Sequence, residues 1–315
     1  MLRIWISMLV LATAWTACGR EIAADEPLVV LSGEGETQSA PHGRGNVYAP
    51  EVMVENGAYR MWFGGQGRDG HDRIHLAESA DGITWTQRGV VLEDATANHV
   101  NDPSVVRVGS DYFMYYTLAR SGVRDEIAVA TSHDGVSWTP RGVALAPGAE
   151  GAWDALLVGR PSVLVEDGVW RMWYDGRKDL PPGALAEGAP TAAGSTRAVG
   201  YAESRDGFTW QRVRETPVFE QDAGGIHVSR VGARLVMVYE SREGTLAAVS
   251  DDGLAWKPRG LLAAKCGGPA DSFGHVTPFL RVDVATGAGV LWVGAARSGT
   301  WDENAIGRIN MLPLD

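Results

Sequence analysis

Cysteine is nearly absent: Cys18 and Cys266 are the two in 315 residues. Cys18 lies in an N-terminal leader-like stretch and Cys266 is the only other one, so an intramolecular disulfide is not expected in the mature chain, and a cysteine zinc site is excluded. Cys266 reads as a small packed residue. Positive charge is also short. Lysine is scarce, and 28 Lys plus Arg face 39 Asp plus Glu, for a net charge of −11. A nucleic-acid groove needs clustered cations to neutralise phosphates, so nucleic acid is excluded as a partner. A basic attachment to anionic lipid fails for the same reason. Long Ala/Leu/Glu/Lys patterns of helical period are missing too. What the chain has is 40 Gly, 12 Trp and 45% hydrophobic residues. Many turns and many aromatics favour an all-β protein.

The N-terminus reads MLRIWISMLVLATAWTACGR. Arg3 opens a short positive region, an apolar stretch follows from Ile4, and small residues lead to Cys18. That is the pattern of an export signal, and it is too short and poorly flanked for a membrane span. Thr16-Ala17-Cys18-Gly19 resembles a bacterial lipobox, in which the cysteine is lipidated after cleavage, although Trp15 stands where Leu is usual. The expectation is a signal peptide over 1–18 of lipoprotein type, a polar tether over 19–27 and one domain over 28–315. The chain would then be a cell-envelope lipoprotein, touching membrane only through its lipid anchor. Cleavage after Ala12-Thr13-Ala14 is the competing reading and gives a periplasmic or secreted protein.

The domain is a repeat. Ser-x-Asp-Gly-x-x-Trp occurs as SADGITW from Ser79, SHDGVSW from Ser132, SRDGFTW from Ser204 and SDDGLAW from Ser250. Asp-Gly between apolar stretches marks a tight hairpin turn. Ahead of three copies lie segments that align without gaps: PEVMVENGAYRMWF from Pro50, PSVVRVGSDYFMYY from Pro103 and PSVLVEDGVWRMWY from Pro161. Relatives of that segment begin at His227 and Pro278. Repeats roughly 50 to 65 residues apart, each worth two hairpins, are propeller blades. The fifth repeat stops one strand short, and LVVLSG from Leu28 resembles the fourth strands of the others. The expected fold is therefore an all-β, five-bladed propeller, closed by the N-terminal strand completing the last blade. In it the Asp-Gly turns are structural: Asp81, Asp134, Asp206 and Asp252 bond their own turn, and the tryptophans pack between blades.

Chemistry is then expected on the opposite face, where the chain leads into each innermost strand. Those stretches carry Glu51, Asp102, Arg160, His227 and His275, which converge on the axis. The corners between second and third strands repeat an arginine: Arg68, Arg120, Arg177, Arg242 and Arg297. An arginine–carboxylate clasp within each blade is one reading. A ring of guanidiniums that grips a polyhydroxy or anionic ligand is the other, with Arg177 and Arg242 favoured because Asp175 and Glu240 lie two positions before them. The loop from Lys178 to Thr196 is long and rich in small residues, as lids, specificity walls and disordered segments are. Trp153, in another long loop, is a candidate to stack on a sugar face or, equally, to pin that loop.

Five blades, an Asp-Pro at Asp102-Pro103, SxDGxxW repeats and RMWY-type second strands resemble the five-bladed glycoside hydrolase superfamily, which includes arabinanase and β-xylosidase-like, invertase and levansucrase-like, and mannoside phosphorylase-like proteins. The resemblance covers residues 28–315. It implies a carbohydrate substrate, paired carboxylates at the axis and room for a structural ion there, with no confident cofactor or metal ligand set. It makes Asp102 the base or nucleophile and Glu51 the acid, with Asp175 and Glu240 in reserve, and it likens His275 to an axial histidine. Arg160, His227, His275, Arg177, Arg242 and Trp153 become substrate-binding candidates. Departures are plain: Pro103 is followed by Ser104-Val105, Arg160 stands where the pattern has an acid, and His227 where it has Glu. The carboxylate set is incomplete, so a glycan-binding lipoprotein without catalysis is the alternative. Phosphorylase-like and sialidase-like readings rank behind. Sialidase turns carry one more residue between Asp and Gly, and those proteins have six blades. A monomer is expected.

Overall fold

A computed structural model describes residues 26–33, 46–120, 124–177, 197–283, 286–299 and 303–311. The expected signal segment with Cys18, most of the expected tether and the loop from Lys178 to Thr196 lie outside them. Among the described residues the regular structure is all β, with twenty strands and no helix.

The strands come in consecutive antiparallel groups. The first is β2 (Val47–Glu55), β3 (Ala58–Gln66), β4 (Asp72–Ser79) and β5 (Thr86–Leu92). The second is β6 (His99–Val108), β7 (Asp111–Ala119), β8 (Glu126–Ser132) and β9 (Thr139–Leu145). The third is β10 (Leu157–Glu166), β11 (Val169–Arg177), β12 (Ala198–Ser204) and the short β13 (Trp210–Arg212). The fourth is β14 (His227–Val231), β15 (Arg234–Ser241), β16 (Gly244–Ser250) and β17 (Lys257–Ala264). The last joins β18 (Gly274–Val282), β19 (Gly289–Ala296) and β20 (Asn304–Met311). Its outer partner is β1 (Leu28–Leu31), which pairs antiparallel with β20 through Leu28–Arg308 and Leu31–Ile306.

Turn chemistry sets the first hairpin of the first and third groups. Asn56-Gly57 and Asp167-Gly168 both take left-handed φ angles, 51° and 79°, 52° and 74°, as a two-residue turn that follows strand twist requires. The Ser-x-Asp-Gly turns join third to fourth strands. The Ser79 hydroxyl oxygen accepts the Gly82 N–H at 2.9 Å, and Asp81 accepts the N–H groups of Ile83 and Thr84 at 2.8 and 2.7 Å. The copies at Asp134, Asp206 and Asp252 repeat these bonds. The backbone donors hold the Asp81, Asp134 and Asp206 carboxyls down at about 2. These aspartates are turn builders.

The same turns bind one group to the next. Trp62 Nε1 donates to Gly135 O at 2.9 Å, Tyr115 OH to Gly207 O at 2.7 Å and Trp173 Nε1 to Gly253 O at 2.8 Å. Trp138 and Trp256 meet Trp62 and Trp173 edge to face. Burial of each such ring is worth about 4–6 kcal/mol of transfer free energy. Five apolar clusters result, each between two groups. One of them packs Phe279, Trp292 and Ile306 of the last group, with Leu31, against Val52, Met61 and Phe63 of the first.

Candidate functional site

The site begins with a repeated defect in the first strand of each group. Pairing register breaks between Tyr48 and Glu51, Asn101 and Ser104, Gly159 and Ser162, and Val276 and Phe279. At each break the residue before a proline is left-handed: Ala49 (φ 51°), Asp102 (52°), Arg160 (46°) and Thr277 (41°). The fourth group puts Gly225 (φ 57°) at this place, where a side chain would also collide with Glu240. Non-glycine residues in this region are strained, and such bulges re-aim side chains. Here they turn Asp102, Arg160 and Thr277 into one pocket of about 300 Å³ that includes its open mouth. It is lined from all five groups, by Glu51, Asp102, Arg160, His227, Thr277 and Phe279 among others.

Four titratable side chains share that lining. Burial raises the Glu51 carboxyl to about 8, against a single favourable N–H from Val105. Burial also raises Asp102, but only to about 6, because the Arg160 guanidinium and the Thr117 hydroxyl favour its ionised form. Asp102 Oδ1 is buried with no partner among the described residues. Arg160 is fixed from both sides. Its backbone N–H donates to Thr117 Oγ1 at 2.8 Å and its Nη1 to Asp175 Oδ2 at 3.0 Å. Burial lowers His227 to about 3. Its Nδ1 accepts the Leu280 N–H at 3.2 Å, so the ring proton sits on Nε2.

Of the expected site residues, then, the pocket brings together Glu51, Asp102, Arg160 and His227. Asp175 and Glu240 lie behind it, buried. Asp175 holds Arg160 and, at 3.5 Å, Arg177. Glu240 pairs with Arg197, accepts the Thr277 N–H at 3.1 Å and so supports the pocket wall. None of the five corner arginines lines the pocket. Arg177 is buried beside Asp175, Arg120 clasps Glu126 and Asp94, and Arg242 lies over the Phe273 ring. Trp153 stacks on Tyr174 and pins its loop. His275 sits two residues before the bulge, fully buried between Thr245 Oγ1 and Asp271 Oδ2 at 3.0 and 3.1 Å. Cys18 is outside the described residues.

Residues that sequence reasoning passed over are Thr277, Thr117, Arg197 and a network beside Asp102. In that network Asp72 pairs with His99 Nδ1, and Asn101 Nδ2 donates to Tyr48 OH at 2.7 Å. Thr277 was readable, because Thr277-Pro278 aligns with Asp102-Pro103. Among the described residues no group of three or more His, Cys, Asp or Glu is placed to hold a metal ion.

No family model matches the chain. Two uncharacterized proteins of Mycobacterium tuberculosis strains are each 32% identical over 140 residues, 40% of this chain and 45% of theirs. The chain thus spans less than half the length of these curated relatives. Among solved structures, a glycoside hydrolase superposes with a TM-score of 0.71 at 16% identity over 92% of each chain. Zg3597, a family 117 glycoside hydrolase produced by Zobellia galactanivorans, gives 0.65 at 16% over 92% of this chain and 94% of that one. An N-acetylgalactosamine deacetylase from F. plautii, solved with blood group B trisaccharide, gives 0.64 at 15% over 91% and 95%. The chain has the β-propeller fold of glycoside hydrolases.

Proposed function

We propose that this protein is a closed, five-bladed propeller that hydrolyses a glycosidic bond in its axial pocket, with Glu51 as general acid and Asp102 as base or nucleophile. The carrying observation is the pair of carboxyls in one pocket with environments that push them apart: Glu51 near 8, Asp102 near 6 beside Arg160. Two carboxyls so separated divide acid and base work. At neutral pH Glu51 keeps a proton for the leaving oxygen while Asp102 is ionised. The five clusters between successive strand groups, one of them joining last to first, support the ring. The likeness to glycoside hydrolases supports a carbohydrate-acting fold.

Asp102→Asn and Glu51→Gln should each lower kcat on a cleaved oligosaccharide about 10²–10⁴-fold while binding persists by titration calorimetry. Full turnover in both variants would refute the assignment. A second reading, glycan binding without cleavage, is favoured by Arg160 and Gly225 standing at the two bulge positions between Asp102 and Thr277, neither of them a carboxylate. It predicts saturable binding by the wild type with no release of reducing ends.

A further inference from the structure

Arg160 has more hydrogen-bonding capacity than the protein uses. Nη1 goes to Asp175 and the backbone N–H to Thr117. Nε and Nη2 make no hydrogen bond among the described residues. The side chain keeps 20% of its surface exposed, and it lines the pocket. Asp175, its one bonded carboxylate, is shared with Arg177. Asp102, Glu240 and Asp125 act on the guanidinium through space without bonding it. The pocket therefore presents a planar cation whose fork is only partly occupied.

Its neighbours also donate. His227 offers Nε2–H, since Nδ1 is taken by Leu280. The Thr277 oxygen accepts the Ala49 N–H at 2.8 Å, which leaves its hydroxyl hydrogen free to point inward. Glu51 brings an O–H while protonated. Asp102 is the one ionised acceptor in this lining. A ligand made of hydroxyls alone would offer the unoccupied half of the guanidinium fork only neutral acceptors, which bind a cation less strongly than a carboxylate does.

We infer that the sugar this pocket takes carries a carboxylate, a uronic acid residue, gripped by Arg160. The inference rests on the pocket being a carbohydrate site. A guanidinium meets a carboxylate through two parallel N–H···O bonds, which a hydroxyl cannot match. Asp175, Thr117 and the Pro161 bulge hold Arg160 in place beforehand, so little freedom is lost on binding.

The test uses oligosaccharides ending in glucuronate, galacturonate or mannuronate, each beside its carboxyl-reduced neutral form, with binding read by calorimetry or saturation-transfer NMR. The expected result is at least tenfold tighter binding of one acidic member over its neutral partner. Arg160→Lys keeps the charge on Asp175 but loses the fork, and should bring that ratio close to one. Arg160→Gln is the second variant, and matching unfolding midpoints show that both fold. Neutral forms binding as well as acidic ones, or a preference that survives Arg160→Lys, overturns the inference and leaves the carbohydrate reading standing. Arg160-dependent binding of inorganic phosphate with no uronate preference also overturns it. If no sugar binds in any form, the carbohydrate reading falls and the inference with it.

Discussion

Glu51 illustrates how a single buried group can report on both stability and catalysis. Its folded-state carboxyl sits near 8 and its ordinary value is 4.5. A group whose folded value is raised contributes stability that is complete below the unfolded value and is lost as pH rises toward the folded one. Stability should therefore fall between about pH 4.5 and 8 from this residue, by at most about 5 kcal/mol. Glu51→Gln removes the charge without changing shape. Urea unfolding at pH 5 and pH 8 should show the variant gaining on the wild type at the higher pH. An equal difference at both would mean that the carboxyl ionises normally. The same two groups set the pH profile of turnover under the proposed roles. Asp102 must lose its proton and Glu51 must keep it, so kcat/KM should rise through about 6 and fall through about 8. A profile flat from 5 to 9 would separate these carboxyls from the chemistry.

Elements were the most legible layer in the sequence. Four copies of Ser-x-Asp-Gly-x-x-Trp place the turns between third and fourth strands, because Asp-Gly and its side-chain bonds act within a few residues. The aligned prolines likewise locate the entries to the inner strands, and with them Asp102 and Arg160. Side-chain direction beyond those local rules was not legible. Asp175 and Glu240 read as site carboxylates, yet packing turns them behind the wall onto Arg160 and Arg197. Arg242 is drawn over Phe273, and His275 goes into a buried pair with Asp271. These outcomes depend on partners distant in sequence that no local pattern names. The link between groups gives an element-scale prediction. Gly253 is left-handed (φ 80°), and a Cβ there would come within 2.6 Å of Trp173 Cζ2. Backbone strain and overpacking together should make Gly253→Ala cost about 2–4 kcal/mol. The same change at Gly260 (φ 81°), where nothing lies within 4 Å, should cost only the strain. Denaturant midpoints at constant slope measure both, and equal losses would show that the contact with Trp173 is unimportant.

Across the whole molecule, the proposed ring depends on a strand far from its partners in sequence. β20 has β19 on one side and β1 on the other. Leu31 is 5% exposed and packs in the cluster that joins the last group to the first. Without β1 the β20 backbone would present an open edge, and open edges pair with other chains. Leu31→Asp places a charge in that cluster and should cost about 2–5 kcal/mol. A chain beginning at residue 34 should unfold at lower temperature than the full domain and scatter light as its edges associate. The pocket gives a second readout, because Glu51 on β2 and Phe279 and Thr277 on β18 face each other across the same seam. Loosening the seam should weaken ligand binding along with stability. If the shortened chain keeps its melting temperature, stays monodisperse and binds as before, the ring closes without β1 and the reading of the N-terminal strand is wrong.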